Sequence, residues 1–403
     1  MAHLSATAAP SQRALLRLAP AVLIVLFGYL TIGLPLAILP LQVHDRLGYD
    51  TVVVGVTVGV QSLATLVTRQ LAGSLCDRQG PKHVVLLGAA CSLAASLMYL
   101  LACSAPIGAS ATLTTILAAR AVLGIGESLL MTGALAWAIG VVGPSHTGKV
   151  MVWVGIAMYA AIAAGAPLGI ALMTGHAAGG GFVAVALGAT TSSLLAGLIG
   201  AFIVPVAPYG GERLPFVAIV ARIAPFGAGL SLATLGFGAI AAFAALDFQS
   251  KGWSGAGFAL ASFGTAYIAT RFAIGHWPDH FGSARVALYS LIVEACGQTL
   301  LFLAPAPAVA FAGAILTGAG FSLVFPSFGI AAVRQVSPAN RGSALGAYVA
   351  FFDLGFALSG PLTGLVASAL GYPAVFATGA VTAITALLAA LYAARATETA
   401  SRA

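Results

Sequence analysis

The chain reads as a series of long apolar runs separated by short breaks rich in polar residues, proline or glycine. No run alternates apolar and polar residues with period two, so the runs predict helices and not the strands of a barrel. About 20 apolar residues suffice to span a hydrocarbon core. The breaks predict helices over 18–41, 51–74, 84–104, 109–138, 149–172 and 181–204, then over 223–247, 255–275, 285–304, 308–331, 343–368 and 373–394. Residues 1–17 and 395–403 are left as tails. The stretch 205–222, with Pro205, Pro208, Gly210, Gly211 and Pro215, is left as a linker between an 18–204 half and a 223–394 half.

Composition makes lipid the solvent. Hydrophobic residues form 60% of the chain and charged ones 7%, with a mean hydropathy of +1.04, whereas soluble domains carry about 25% charged residues. In lipid the backbone must satisfy its own polar groups, which favours helices. The first apolar run is too long for the core of a cleavable signal. Cys76, Cys91, Cys103 and Cys296 lack metal-ligand spacing and read as small hydrophobes. No metal or cofactor is expected, and no enzyme activity, because no nucleophile–base set or nucleotide-binding loop is present.

The net charge of +7 does not point to nucleic acid once its distribution is considered. With the N-terminus inside, fourteen Lys and Arg fall on the inner side and only Arg46 and Lys251 on the outer, with Arg120 in mid-helix. This bias predicts a multi-pass protein of the bacterial inner membrane with both termini cytoplasmic, acting as a monomer in the bilayer.

The two halves repeat. Thr68-Arg69-x3-Gly73-x3-Asp77-x2-Gly80 recurs as Thr270-Arg271-x3-Gly275-x3-Asp279-x2-Gly282. Leu123-Gly-x-Gly-x-Ser-Leu recurs from Thr317, and Gly148 and Pro167 recur as Gly342 and Pro361. The offsets are 202, 194 and 194. Such order implies two parallel six-helix repeats with a substrate site between them near mid-membrane.

The stretch Gly73-Ser-Leu-Cys-Asp77-Arg78-Gln-Gly80-Pro-Lys82 resembles the loop 2–3 signature of the major facilitator superfamily. Arg120-x3-Gly124-x-Gly126 resembles its fourth-helix signature. Gly165-Ala-Pro167-Leu-Gly169 resembles its fifth-helix antiporter motif, except that Ala166 separates Gly from Pro. Gly124-Ile-Gly-Glu127-Ser-Leu and the run from Asn340 through Asp353 resemble the bacterial YhhS/YfcJ-type branch, whose members are described as sugar- or drug-efflux permeases. The resemblance implies an all-α membrane protein of twelve transmembrane helices in two pseudo-symmetric six-helix bundles. Helices 1, 4, 7 and 10 would line the cavity, with 2, 5, 8 and 11 contributing. It also implies a cytoplasmic gate at Gly73, Asp77, Arg78 and Gly80, with Asp279, Gly282 and Arg341 as counterparts, in which Asp77 faces helix 11.

Charges kept in both halves fit the shared architecture, whereas charges in one half only are candidates for chemistry. Asp77 and Asp279 are kept, as are Arg69 and Arg271. Arg120, Glu127 and Asp353 have Ala314, Phe321 and Tyr159 as repeat mates. A charge at the bilayer centre costs at least about 2.5–3.5 kcal/mol, so retaining three calls for a reason. Arg120 and Glu127 are two helical turns apart on one face, about 10 Å along the axis. A buried carboxyl favours its neutral form, so Glu127 and Asp353 are the expected proton-coupling groups. Arg120 is expected to bind substrate or to hold Glu127 ionised. Glu294 is also lone but sits on a peripheral helix, where local pairing is expected.

The cavity candidates beside Arg120 are Tyr29, Gln61, Trp137, Tyr159, Tyr348 and Phe352. Stacking faces with few polar groups suit an amphipathic small molecule. The expected partners are such a substrate and protons, with proton-coupled efflux by alternating access as the leading reading. The alternatives are a proton-independent facilitator or importer of a sugar-like solute, and a non-transporting membrane sensor.

Overall fold

The computed structural model describes residues 12–104, 108–143, 147–175, 181–206, 216–336 and 341–402. The centre of the predicted linker and the side chains of Asp279 and Arg341 lie outside the described residues. Twelve long helices are present among those described: α1 (Gln12–Leu36), α2 (Thr51–Gln79), α3 (Pro81–Ser104), α4 (Ala109–Val142), α5 (Thr147–Thr174), α6 (Gly181–Phe202), α7 (Phe216–Ser250), α8 (Ala256–Ile274), α9 (Ser283–Leu303), α10 (Pro307–Val333), α11 (Arg341–Leu370) and α12 (Tyr372–Arg402). Eleven are long and apolar enough to cross a membrane. The twelfth, α8, is the shortest, carries Arg271, and packs between α5 and α10.

Local chemistry sets the helix ends. The Asp50 side chain caps α2 by accepting the Val53 N–H at 2.9 Å, satisfying one of the donors orphaned at a helix start. Gly80, at φ +85°, ends the same helix in a conformation that only glycine adopts without strain. The predicted 18–41 run is broken, because Pro35 and Pro40 cannot continue the ladder. A turn from Pro35 to Ile38 leads into Leu39–Leu41 and a π turn over Gln42–Arg46. Several predicted boundaries shift, and residues 12–17, placed in the N-terminal tail, begin α1. Residues 216–222, placed in the linker, belong to α7, and 395–402, placed in the tail, continue α12 as Ala, Arg and Glu sustain helix.

The first six helices pack mainly on one another, as do the last six. The repeated glycines show why. A Cβ at Gly124 would collide with the Gln61 carbonyl of α2, and one at Gly126 would lie 2.9 Å from the Gly88 carbonyl of α3. In the second half, Gly318 meets the Phe263 carbonyl of α8, and a Cβ at Gly320 would lie 2.6 Å from the Ser290 carbonyl of α9. Each pair of contacts joins repeat-related residues, so small side chains let the same helices approach closely in both bundles.

Two seams join the bundles, α2 with α11 and α5 with α8. On the first, Gly55 and Gly360 face each other backbone to backbone. Beside them the Thr51 hydroxyl donates to the Gly364 carbonyl at 3.0 Å. On the second, Gly257 meets Ala166 and Ile170, and Gly264 meets Ala163. These approaches cluster in the half of each seam nearest Thr51 and Gly364. Toward the other end the bundles meet through side chains, Arg69 with Asp353 and Trp153 with Phe272. In this conformation the bundles are closed tightest at the Thr51–Gly364 end.

Candidate functional site

Between the bundles lies a chamber of about 30 Å³, room for a water molecule or two. Tyr29, Gln61, Ser62, Arg120 and Glu127 line it from the first bundle. Phe237, Phe352 and Phe356 face them from the second, with Ile32, Leu36, Met158 and Ile162 completing the walls.

Glu127 is the centre of the polar wall. The Tyr29 hydroxyl donates to its Oε1 at 2.9 Å, while the Gln61 amide (2.8 Å) and the Thr65 hydroxyl (3.2 Å) donate to its Oε2. Helices α1, α2 and α4 each contribute one side of this cluster. The single Thr65 hydroxyl proton is shared with the Gly124 and Gln61 carbonyls, at 3.0 and 3.1 Å. Asp353 is 3% exposed and pairs with Arg69 Nε at 2.6 Å, across the α2–α11 seam. Arg69, Asp353, Glu127 and Tyr29 lie within electrostatic reach of one another. The cluster thus holds one cation and two carboxyls.

Arg120 lines the chamber, with two of its guanidinium nitrogens anchored on α2. Nε donates to the Thr57 carbonyl at 3.0 Å and Nη2 to the Val58 carbonyl at 2.9 Å, and the side chain is 1% exposed. Among the described residues Arg120 makes no hydrogen bond to Glu127, so the expected direct hold on that carboxyl is not seen. Seven residues put the two on one helix face but leave the longer side chain free to reach the backbone of α2.

Other expectations divide. Tyr29, Gln61 and Phe352 reach the chamber as anticipated. Trp137 does not, because its indole N–H donates to the Val204 carbonyl at 2.8 Å beyond the end of α6. Tyr348 is buried between α10 and α11 with its hydroxyl on the Phe325 carbonyl (2.8 Å). Tyr159 stacks on Tyr267 at 3.7 Å in the α5–α8 seam. Glu294 is fully buried in the second bundle, next to Gly236 and Gly320, with neither oxygen hydrogen-bonded among the described residues, so the expected local pairing is absent. In the predicted gate, Asp77 is half-buried, Arg78 is exposed, and a Cβ at Gly73 would meet nothing within 4 Å. Gly80 and Gly282 share the positive-φ turn, at +85° and +88°.

Sequence reasoning missed Arg69, Thr65, Phe237 and Phe356. Arg271 repeats Arg69, so by symmetry Arg69 reads as architectural. The available signal was its partner's asymmetry. Asp353 is replaced by Tyr159 in the repeat, so Arg271 finds the Tyr267 hydroxyl at 2.6 Å in place of a carboxylate. The repeat also shows where the two halves part company. Gln61, Thr65 and Glu127 correspond by the same offsets to Phe263, Tyr267 and Phe321, which form one aromatic cluster with Phe237.

Two related six-helix bundles enclosing a charged chamber define a membrane transporter, and comparison with known proteins agrees. The Major Facilitator Superfamily profile matches residues 21–254 and 226–403. The chain belongs to the major facilitator superfamily. It is 43% identical over 386 residues to an uncharacterized MFS-type transporter of Burkholderia pseudomallei (strain 1106a), covering 94% of this chain and 93% of that one. An uncharacterized MFS-type transporter of Pseudomonas aeruginosa (strain LESB58) is 43% identical over 369 residues, covering 91% and 90%. Among solved structures, a mutant of the nucleoside transporter NupG superposes with a TM-score of 0.74 at 15% identity, covering 93% of this chain and 99% of that one. The human organic anion transporter MFSD10 (TETRAN) gives 0.69 at 17%, covering 95% and 100%. At these identities the structural likeness concerns the fold.

Proposed function

We infer that the chain is a secondary active exporter of a small organic molecule, driven by proton exchange across the bacterial inner membrane. The observation that carries this reading is the Arg69–Asp353 pair, which ties the two bundles together beside the Glu127 carboxyl. A buried ion pair is held by both charges, and removing one leaves the other uncompensated. Protonating Asp353 would release Arg69 and loosen the α2–α11 seam, so proton uptake and bundle movement become one event. Glu127 supplies a second exchangeable carboxyl on the chamber wall.

Both termini face the cytoplasm in this reading, by the distribution of Lys and Arg. The Thr51–Gly364 end then faces outward, and the present conformation is shut on that side. The α2–α3 turn, with Gly73, Asp77, Arg78 and Gly80, and its repeat with Asp279 and Gly282, serve with Arg341 as the inner lock. The protein acts as a monomer and needs no cofactor.

The test is flux in proteoliposomes against a panel of labelled small solutes, with and without an imposed pH gradient. Wild type is expected to show gradient-driven flux of at least one solute. Glu127→Gln and Asp353→Asn are each expected to abolish the dependence on the gradient. Retention of gradient-driven flux by both variants would overturn proton coupling.

A further inference from the structure

Glu294, at the middle of α9, is a buried carboxyl that the chamber does not use. It is 0% exposed, and neither of its oxygens has a hydrogen-bond partner among the described residues. The helices packed on α9 bring only neutral groups to it and to Gln298, one turn further on. These are Gly236 from α7, Thr317 and Gly320 from α10, and Gly379 from α12. Their donors are already spent. The Gln298 amide nitrogen donates to the Gly236 carbonyl at 3.0 Å, and the Thr317 hydroxyl to the Gly313 carbonyl at 2.8 Å. The titratable group within electrostatic reach is the Tyr159 phenol of α5. An ionised carboxylate in such a place is uncompensated, which a bilayer interior penalises by several kcal/mol. A proton removes the charge and turns one oxygen into a donor.

The first half of the chain shows what the position demands. The offset of 202 that relates Arg69 to Arg271 also relates Gly88 to Ser290 and Ser92 to Glu294. A Cβ at Gly126 would lie 2.7 Å from the Ser92 hydroxyl, and one at Gly320 would lie 2.6 Å from the Glu294 nitrogen. The two residues thus sit beside repeat-related glycines. The Ser92 hydroxyl donates to the Gly88 carbonyl at 3.0 Å. An O–H donor therefore belongs at this place, and Glu294 offers one only when protonated.

The helices that enclose Glu294 also carry the aromatic wall. Gly236 and Gly320 precede Phe237 and Phe321, whose rings lie 6.3 Å apart, and Phe237 lines the chamber. We propose that Glu294 is a proton-binding site apart from the Arg69–Asp353–Glu127 cluster, occupied in this conformation and exchanging its proton past Phe237 and Phe321 when the bundles part. The exchange is a plain proton transfer. Water in the opened chamber takes the proton as hydronium, and the carboxylate waits for one to return. The exchange route rests on the transport reading, whereas the occupancy does not.

The experiment is infrared spectroscopy of the purified full chain at neutral pH, first in water and then on transfer to deuterium oxide. The carbonyl band of a protonated carboxyl is expected in wild type. It should vanish in Glu294→Gln, move in Glu294→Asp, and persist in Glu127→Gln and in Asp353→Asn. Its deuterium shift should run about fivefold faster or more in Gly55→Val, whose side chain would press on the Gly360 carbonyl across the closed seam. Gly155→Ala should keep the wild-type rate. A band unchanged by both Glu294 substitutions in folded protein overturns the proposal, as does exchange that Gly55→Val leaves at the wild-type rate. The band is read with no solute and no gradient. Its absence therefore overturns this site and leaves the flux tests of Glu127 and Asp353 standing, whereas its presence without gradient-driven flux upholds the site and refutes the coupling.

Discussion

The glycine contact between Gly55 and Gly360 should govern which conformation the protein prefers. A side chain at position 55 would drive its Cβ into the Gly360 carbonyl, well inside van der Waals contact, with the Pro361 nitrogen at 3.1 Å behind it. These are backbone atoms of α11 and cannot swing aside like a side chain. Forcing extra carbon into such packing costs about 1–3 kcal/mol. The cost falls on the closed seam, because once the bundles part at the Thr51–Gly364 end the added group meets open space. At about 1.4 kcal/mol per tenfold, Gly55→Val should raise the population open at that end by about 5- to 150-fold. The reporter is Ser62→Cys, which lines the chamber and is 7% exposed, in a background lacking the four native cysteines. Labelling by a membrane-impermeant maleimide from the outer side should accelerate by that factor. Gly155→Ala is the control, since a Cβ there meets nothing within 4 Å. An unchanged rate in a folded Gly55→Val protein, or equal acceleration by Gly155→Ala, refutes the assignment of this contact to the closed seam.

Two further outcomes are expected. Arg69→Gln strands the buried Asp353 carboxyl and should lower stability by about 3–5 kcal/mol, read as a fall in melting temperature by intrinsic tryptophan fluorescence. Adding Asp353→Asn should recover most of that loss, and no recovery would mean the pair is incidental. Trp137→Phe removes one hydrogen bond to the Val204 carbonyl, worth about 0.5–1.5 kcal/mol. It should leave flux at its wild-type value, whereas altered flux would return Trp137 to the chamber.

The helices and the two-fold repeat were legible because both are written in local signals, apolar run length and recurring glycines. Glu127 stood out for the same reason, as a carboxyl one residue beyond a glycine pair on an apolar helix. What the sequence concealed was direction. Arg120 carries a long side chain, and spacing along α4 says nothing about whether its guanidinium reaches the chamber or the carbonyls of α2. Arg69 was hidden by its own symmetry, since a cation kept in both halves looks architectural until its partner is seen to differ. Trp137 and Tyr348 show the opposite error. An aromatic with a polar tip in an apolar helix suggests a ligand contact, but here a backbone carbonyl satisfies each tip.

The glycines that set the helix spacing within each bundle sit directly beside residues that distinguish the two halves. Gly126 precedes Glu127, and Gly320 precedes Phe321. Frame and function are therefore spelled in neighbouring letters. The two halves carry different residues at this position, acid in one and phenyl in the other, on helices held by the same glycine contacts. A duplicated scaffold of this kind can acquire new cargo by single substitutions while its mechanics stay inherited.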